Sequence, residues 1–353
     1  PNRIEHSVEE LVGQRVLAIA LGYEDVNDHE QLRLDPLLAA LCGKPEPKGQ
    51  PLAAPSTLHR LELSHPELAA EDRYRRIGLD PEAVDQLLID LFLEAYEEPP
   101  AEIVLDLDAT DDPIHGKQQG RFFHGYYDCY CYLPLYVFCG DHLLCARLRK
   151  ADSDGAAGSQ EELERIVPRI REAWPQTRIV LRGDSGFCRD WLMTWCEEHE
   201  VEYVLGIAKN ERLKDSVATE LEEVRKLCER KGEPQRVFKS FEYRTLDSWS
   251  RSRRVVGKAE HLKRGSNPRF VVTSLSEEEW DARRLYEDLY CARGEMENRI
   301  KEQQLDLFAD RTSCSVMRAN QVRLYFSSFA YVLLSELRRI ALVGTELERA
   351  QCG

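Results

Sequence analysis

Residues 102–125 have the sequence EIVLDLDATDDPIHGKQQGRFFHG and place Asp106 and Asp108 at the end of a short apolar run. The run from Ile103 to Leu107 is rich in Ile, Val and Leu and predicts a strand buried on both faces. Because side chains alternate along a strand, the two aspartates share one face. A buried carboxylate is costly unless it is paired or bound to a metal, so the pair indicates a functional site. The alternative is a strand end whose acids cap the following turn.

Composition is typical of a soluble globular protein. The chain has 353 residues, of which 42% are hydrophobic and 31% charged, which is enough for a core and a second domain. The apolar runs are too short to span a bilayer and no signal peptide is visible, so we expect a cytoplasmic protein. Eleven cysteines without a Cys-x-x-Cys pair argue against zinc and disulfides. The chain starts at Pro1 rather than Met, so we expect a fragment.

The charge of the chain reverses locally. The formal net charge is −15, which argues against a generic nucleic-acid binder. Between Arg225 and Arg269, however, 14 Lys and Arg residues stand against 5 Asp and Glu residues. Because local charge attracts a phosphate backbone, this segment predicts a basic surface.

One tryptophan and three arginines stand out within this basic segment. Alternating apolar and polar residues predict strands at VFKSFEYRTL, RRVVGKAEHL and PRFVVTSL. Trp249 lies between the first two, beside Arg251, Arg253 and Arg254. Aromatic rings among arginines suit stacking on bases and pairing with phosphates. The alternative is a solvated strand with Trp249 in a local core.

The first hundred residues are predicted to be helical. Ser7 and Glu10 have capping-box spacing ahead of an apolar stretch. Asp80 and Pro81 supply N-cap and N1 chemistry for a longer helix.

The segment that begins at Glu102 has a different character. Three strand-like segments follow one another with short connections and predict antiparallel neighbours. Ser159, with Glu162 three residues later, predicts the start of a helix. TRIVLRGDSGF then predicts a fourth strand with Asp184 at its carboxyl end, where ligand sites of α/β sheets are often found. The alternative for Asp184 is a cap of the next helix.

A long helix is predicted to start at Ser276 and to run through SEEEWDARRLYEDLYCARGEMENRIKEQQLDLF. At about 100° per residue, Tyr290, Arg293 and Glu297 fall on one face, and Lys301 joins them. The alternative is an ion-pair ladder on the protein surface.

Three carboxylates thus come from different elements: Asp108, Asp184 and Glu297. If they converge on one cavity, they can hold two hard divalent cations, which take oxygen ligands. Two such ions about 4 Å apart clamp the attacking and leaving oxygens of a phosphoryl transfer.

These segments resemble the DDE transposases of bacterial insertion sequences, which have an RNase H-like fold. The resemblance is carried by LDLDATDD, by IVLRGDSGF and by Tyr290-x-x-Arg293-x-x-x-Glu297, which matches the signature Y-(2)-R-(3)-E-(6)-K. Gln304 occupies the place of the signature lysine. The blocks GYEDVNDHEQLRLDP, HGYYDCYCYLPLYVF and SWSRSRRVVGKAEHL resemble the insertion-sequence family numbered thirteen-eighty, and the likeness covers nearly the whole chain.

The resemblance implies an α/β fold with an RNase H-like core, in which three antiparallel strands and a helix precede further strands and helices. A β-rich insertion interrupts the core, and a helical region precedes it. The expected divisions are 1–100 for the helical N-terminal region, 101–222 for the first part of the core, 223–275 for the basic insertion and 276–353 for the C-terminal part of the core with the Glu-bearing helix.

The resemblance also implies roles for individual residues. Asp108, Asp184 and Glu297 would be catalytic and would bind two Mg²⁺ or Mn²⁺ ions. Tyr290 and Arg293 would contact phosphate near the cleaved end. Further DNA contacts are expected from Lys301, Trp249, Arg251, Arg253 and Arg254. Trp249 would hold a flipped base, and Lys301 would replace the missing lysine.

The family acts on double-stranded DNA. Its members cleave strands at the inverted-repeat ends of a mobile element and transfer them to target DNA, usually as a homodimer, with no membrane involved. Such a protein would associate with the bacterial nucleoid. Family members extend past both ends of this chain, which agrees with the expectation of a fragment.

Two other functions fit parts of the sequence. LDLDAT also matches the D-x-D-x-T loop of haloacid-dehalogenase-like phosphatases, in which Asp106 would be the nucleophile and Asp108 the general acid. That fold needs parallel strands with crossovers after the loop, and Glu297 would have no role in it. The second alternative is a DNA-binding module that has lost catalysis.

Overall fold

The computed structural model describes residues 5–46, 48–64 and 77–352. Within them the chain is a mixed α/β protein with a large sheet covered by helices, which confirms the predicted class. In chain order the strands are β1 (Glu102–Ala109), β2 (Asp112–Pro113), β3 (Phe122–His124), β4 (Cys129–Tyr132), β5 (Leu135–Cys139), β6 (His142–Arg147), β7 (Arg178–Gly183), β8 (Glu202–Ile207), β9 (Gln235–Tyr243), β10 (Arg253–Leu262), β11 (Gly265–Ser266) and β12 (Arg269–Thr273).

Helices precede, separate and follow these strands. In chain order they are α1 (Val8–Ala20), α2 (His29–Leu32), α3 (Pro36–Leu41), α4 (Pro55–Glu62), α5 (Pro81–Glu94), α6 (Ser159–Ala173), α7 (Asp190–Glu198), α8 (Glu211–Ser216), α9 (Ala218–Lys231), α10 (Ala282–Arg284), α11 (Gly294–Lys301) and α12 (Met317–Ala341). Among the described residues, none of these helices is long and apolar enough to cross a membrane.

The predicted caps of the N-terminal helices are present. The Ser7 hydroxyl accepts a hydrogen bond from the Glu10 backbone N–H at 3.1 Å and caps α1. The Asp80 carboxylate accepts from the Ala83 N–H at 3.1 Å and caps α5. Such caps satisfy donors that the first helical turn leaves without partners. Parts of the predicted helical region, residues 1–4 and 65–76, lie outside the described residues.

The strand order across the large sheet is β11-β10-β12-β8-β7-β1-β5-β6, with β9 paired to β10. β1 is antiparallel to β5, and β5 is antiparallel to β6, which confirms the three predicted neighbours. Helix α6 then crosses over to β7, which is parallel to β1, and β8 is parallel to β7. Because parallel strands end at the same edge, residues that follow β1 and β7 lie side by side.

The two faces of β1 differ as the alternation predicts. Leu105 and Leu107 are fully buried in a core that includes Ile166 of α6. Burial of each leucine contributes about 2 kcal/mol. Asp106 and Asp108 alternate with these leucines and face the other side of the sheet, where residues 282–306, the late helical segment, pack.

Residues 223–275 extend the main sheet rather than forming a sheet of their own. β12 pairs antiparallel with β8, so the strands of this segment continue outward from the core strands. Arg236 pairs with Glu287 of the late helical segment. Lys239 pairs with Glu220 of α9. Acids from outside the segment therefore offset part of its positive charge.

The late helix is less regular than predicted. The Ser276 hydroxyl accepts a backbone hydrogen bond as a cap does, but α10 begins only after Asp281, whose carboxylate caps it. A π-helical segment (Leu285–Tyr290) and a 3-10 turn (Cys291–Arg293) separate α10 from α11, and a second π-helical segment (Glu302–Asp306) follows. π-helical turns are rare and are concentrated at functional sites.

Candidate catalytic site at two parallel strand ends

Two aspartates lie at neighbouring ends of the parallel strands β1 and β7. Leu107 is paired with Gly183, so the next residues, Asp108 and Asp184, come at the same edge of the sheet. The Asp184 carboxylate accepts a hydrogen bond from the Gly186 N–H at 2.8 Å, which fixes the turn after β7. Asp184 does not cap the next helix, because α7 begins later and has another residue at its N-cap.

Arg293 links this edge to the late helix. Its Nη1 lies 3.4 Å from Asp108 Oδ1, and its Nη2 lies 2.5 Å from Glu297 Oε1. The Asp108 and Arg293 side chains are mostly buried, whereas the Glu297 side chain is 42% exposed. The strand end and the helix thus meet at a guanidinium that lies between two carboxylates.

The acids of the site repel one another. Burial raises the pKa of Asp108 to about 6, and the charges of Asp184 and Glu297 add to this rise while Arg293 opposes it. Burial alone would lower the pKa of Arg293, but the carboxylates of Asp108 and Glu297 hold it above its ordinary value. A cation at this place therefore stabilises the ionised acids.

Tyr290 packs against the backbone beside Asp184. A Cβ on Gly206 of β8 would come 2.5 Å from the Tyr290 hydroxyl oxygen and 3.0 Å from the Ser185 nitrogen. Only glycine at position 206 leaves room for this approach. Burial raises the pKa of Tyr290, Arg293 opposes the rise and Asp184 adds to it. The phenol therefore stays protonated and can donate a hydrogen bond.

The donor atoms suit a hard divalent cation, but their arrangement is incomplete. Carboxylate oxygens are the ligands that Mg²⁺ and Mn²⁺ prefer. Across residues 5–46, 48–64 and 77–352, no three His, Cys, Asp or Glu side chains form a group that could hold a metal ion. Glu297 is instead paired with Arg293, which also faces Asp108. The predicted site of three carboxylates is not assembled here, and the Arg293 guanidinium supplies the counter-charge.

Asp106 forms a buried ion pair with Arg182 and contributes to stability. Its carboxylate accepts from Arg182 Nε at 2.5 Å and from Arg182 Nη2 at 2.7 Å, and both side chains are buried. Arg182 also donates to the Leu289 carbonyl and so ties β1 and β7 to the late helical segment. Because both carboxylate oxygens are engaged, Asp106 is not available as the nucleophile of a phosphatase. The antiparallel pairing of β1 with β5 likewise departs from that fold.

A comparison with known protein families identifies the chain's family. The model for the transposase DDE domain group 1 matches residues 1–353. The chain belongs to this DDE transposase family. No curated protein matches the chain. The fold is similar to a cryo-EM structure of the piggyBac transposase synaptic complex with hairpin DNA, at 14% identity and a TM-score of 0.41, covering 99% of this chain and 77% of that chain.

In this DDE transposase domain, two residues predicted to contact DNA are buried. Trp249 is 4% exposed and packs edge-on against Tyr243, with 5.7 Å between ring centroids. Arg253 is also 4% exposed, and its guanidinium binds the carboxylates of Asp190 and Glu197. These two predictions are corrected, because neither side chain is accessible to a base or a phosphate.

The other predicted cations differ in their exposure. Arg254 donates to the carbonyls of Leu275 and Trp280, and so fastens β10 to the segment before α10. Its contact with phosphate stays a prediction, because the side chain is half-buried and its guanidinium already donates to backbone. Arg251 is 54% exposed and pairs with a glutamate of α7. Lys301 is exposed at the end of α11. Arg251 and Lys301 are therefore the accessible members of the predicted set.

Two residues near the acids of the DDE transposase domain are not predicted from the sequence. The Tyr127 hydroxyl donates to the Ala109 carbonyl at 3.2 Å, next to Asp108. Gln304, at the place of the signature lysine, donates to the Asp111 carbonyl at 3.0 Å. The aromatic run that contains Tyr127 was the available signal for the first, and the family spacing was the signal for the second.

Proposed function

We propose that the chain is the catalytic region of a transposase that cleaves DNA strands at the inverted-repeat ends of an insertion sequence and joins them to target DNA. The observation that carries this proposal is the arrangement of Asp108, Asp184 and Glu297 near Arg293 at two parallel strand ends. Phosphoryl transfer is catalysed mainly by charged groups that are held in position around the reacting phosphate.

We propose further that the core is RNase H-like, with the divisions expected from the sequence. Support comes from the order β6-β5-β1-β7-β8, in which the first three strands are antiparallel and the last two run parallel to β1. Strands β9 to β12 would then be the insertion, added at the β8 edge.

Asp108, Asp184 and Glu297 would bind two Mg²⁺ or Mn²⁺ ions. When bound, such ions supply Lewis-acid stabilisation of the attacking and leaving oxygens. The raised pKa of Asp108 supports this role: burial is its main cause and the charges of Asp184 and Glu297 add to it, and a divalent cation would stabilise the ionised carboxylate against both. Glu297 would become available to the ions when Arg293 turns to another anion.

Arg293 and Tyr290 would bind the DNA phosphate beside the acids. A guanidinium forms paired, charge-assisted hydrogen bonds with phosphate oxygens. The protonated Tyr290 phenol can donate one more hydrogen bond. By exchanging its carboxylate partners for phosphate, Arg293 would couple DNA binding to assembly of the metal site.

The partners of the domain would be double-stranded DNA and a second copy of the chain. Arg251 and Lys301 are exposed cations that would contact the DNA backbone, and the net charge of −15 confines that contact to local surfaces. A homodimer would hold both inverted-repeat ends.

The test is a cleavage assay on labelled DNA that carries the inverted-repeat ends, with and without Mg²⁺. We expect cleavage that depends on Mg²⁺ or Mn²⁺. Asp184→Asn should abolish it, because the amide cannot bind the ion as a carboxylate does. The turn should survive, since the Asn side-chain oxygen can still accept from the Gly186 N–H. End binding, measured by fluorescence anisotropy, should therefore be retained.

Asp215→Asn is the matched control, because Asp215 is an exposed acid on α8. It should cleave as the parent does. Cleavage by Asp184→Asn at the parental rate would overturn the assignment of the acids. End binding without cleavage in either metal would instead identify the chain as a DNA-binding module without catalysis.

A further inference from the structure

A small hairpin beside β1 exposes a set of aromatic rings. Strands β3 and β4 pair antiparallel within a three-stranded sheet that includes β2. We call residues 121–130 the aromatic hairpin. Four of its rings are exposed by 44% to 85%, namely Phe122, Phe123, Tyr126 and Tyr130. Phe123 and Tyr130 pack edge-on with 5.4 Å between centroids, and exposed rings on one hairpin mark an interaction surface.

The aromatic hairpin adjoins the acids of the site. The Tyr127 hydroxyl donates to the Ala109 carbonyl at 3.2 Å, one residue after Asp108. Burial raises the pKa of Tyr127, and the charges of Asp108 and Asp184 add to the rise. The Tyr126 ring, which is 85% exposed, lies edge-on to Tyr127 with 5.0 Å between centroids. The most exposed ring is therefore one residue from a side chain that contacts β1.

The aromatic hairpin is held in place rather than loose. Asp128 has a φ of 54°, and its N–H donates to the His124 carbonyl at 2.8 Å, which closes the turn. At the base of the hairpin, the Gln119 N–H donates to the Ser315 carbonyl at 2.8 Å. The exposed rings are thus presented on a fixed support, which limits the entropy lost on binding.

The aromatic hairpin and the loop before it carry more cations than acids, although the acids of the site lie on one side of Tyr127. The Arg121 guanidinium lies 4.0 Å from the centroid of the Tyr130 ring. Lys117 precedes it in the same loop, and Asp128 is the acid that residues 115–130 contain. Rings next to a cation fit nucleobases that are attached to phosphates.

We propose that the aromatic hairpin is a stacking surface for unpaired DNA bases next to the cleaved phosphate, with Tyr126 and Phe123 as the main contacts. The inference rests on the proposed transposase function and names the part of the DNA that this surface takes. Base stacking on an aromatic side chain is tolerant of sequence, so the surface would hold any displaced base.

The test uses full-length protein and a fluorescein-labelled duplex with a short single-stranded oligothymidine tail. The comparison probe is the same duplex with an abasic tail, and binding is measured without divalent cations. For the parent, removal of the tail bases should weaken binding by about 5-fold to 150-fold per stacked base. In Tyr126→Ala combined with Phe123→Ala, the two probes should bind equally.

Two variants serve as controls. Tyr126→Phe keeps the ring and should keep the preference for the tail with bases. Trp191→Ala removes an aromatic side chain on α7 that is 41% exposed, and should also keep the preference. Because Tyr126 is largely exposed, its substitution should leave the thermal midpoint unchanged, which circular dichroism checks.

Each other outcome overturns the inference in a distinct way. If the parent binds both tails equally while it still binds the duplex, the stacking surface is refuted and the transposase function stands. If the parent binds neither probe, the proposed function itself fails. If the double alanine variant keeps the preference but loses self-association in sedimentation, the rings serve contact with a second copy of the chain instead.

Discussion

Two aspartates two residues apart on β1 are predicted to respond in opposite ways to the same substitution. Asp106→Asn places an amide NH₂ against the Arg182 guanidinium, in a site where both side chains are less than 10% exposed. Loss of one partner of a buried ion pair costs about 3–5 kcal/mol, because the other charge remains buried. We expect Asp106→Asn to lower the free energy of unfolding by that amount.

Asp108→Asn should instead stabilise the protein in the absence of metal. The pKa of Asp108 is raised to about 6 from an ordinary value of 3.8, so the folded state disfavours its charge. At about 1.4 kcal/mol per pKa unit, the ionised carboxylate costs about 3 kcal/mol. Asn removes this cost. The gain in the free energy of unfolding is full above about pH 6 and declines as the pH falls. It is absent below about pH 4, where the Asp108 carboxyl of the parent is protonated in both the folded and the unfolded state.

Urea unfolding in EDTA at about pH 8 and about pH 4 measures both effects, with unchanged m-values as the check on two-state behaviour. Cleavage assays measure the effect of each substitution on activity. Asp106→Asn should retain metal-dependent cleavage below its unfolding transition, and Asp108→Asn should lose it. The reasoning is refuted if Asp108→Asn is less stable than the parent at the higher pH, or if Asp106→Asn is as stable as the parent. A phosphatase that used Asp106 as its nucleophile would lose all activity with Asp106→Asn.

Four further substitutions test the site and its surroundings. Arg293→Gln should strengthen Mn²⁺ binding in the absence of DNA, measured by calorimetry, because it removes the competing cation, and it should weaken binding of DNA ends; weaker Mn²⁺ binding would contradict this. Arg253→Ala should lower the free energy of unfolding by about 3 kcal/mol, since it leaves the Glu197 carboxylate without its buried partner, and it should leave the salt dependence of DNA binding unchanged. Arg251→Ala, its exposed counterpart, should cost less than about 1 kcal/mol. Lys301→Ala should reduce the salt slope of DNA binding by about one if this lysine contacts a phosphate, and an unchanged slope would exclude the contact.

The position of the first two acids follows from local sequence signals. β-branched runs identify buried strands, and a strand end followed by Gly-Asp-Ser-Gly identifies the turn that holds Asp184. The partners across the fold do not follow from such signals. Arg253 stands among arginines in the sequence, yet it is buried against Glu197, which lies on a different element. The sequence shows where cations are concentrated along the chain. Tertiary packing decides which side chains lie opposite each cation.

The cap of α6 also shows that tertiary packing overrides a local sequence signal. Ser159 begins α6 as predicted, but Gly158 occupies the N-cap with a φ of 79°. The Ser159 hydroxyl donates to the Ala156 carbonyl, and Glu162 pairs with Arg147 rather than closing a capping box. An ion pair with β6 therefore competes successfully with the local bond. The π-helical segments of the late helix are likewise absent from the periodicity, because they depend on packing against the sheet.

Arg182 and Arg293 both connect the late helical segment to β1 and β7, and the two connections differ in strength. Arg182 is buried, holds Asp106 through two hydrogen bonds and donates to the Leu289 carbonyl, so it fixes the height of the helix above β1 and β7. Arg293 makes a single contact of 3.4 Å with Asp108, at a partly exposed site. A bidentate buried pair resists exchange, whereas a single longer contact gives way to a phosphate at little cost. The fixed connection therefore keeps Glu297 within reach of the strand ends while Arg293 changes partners.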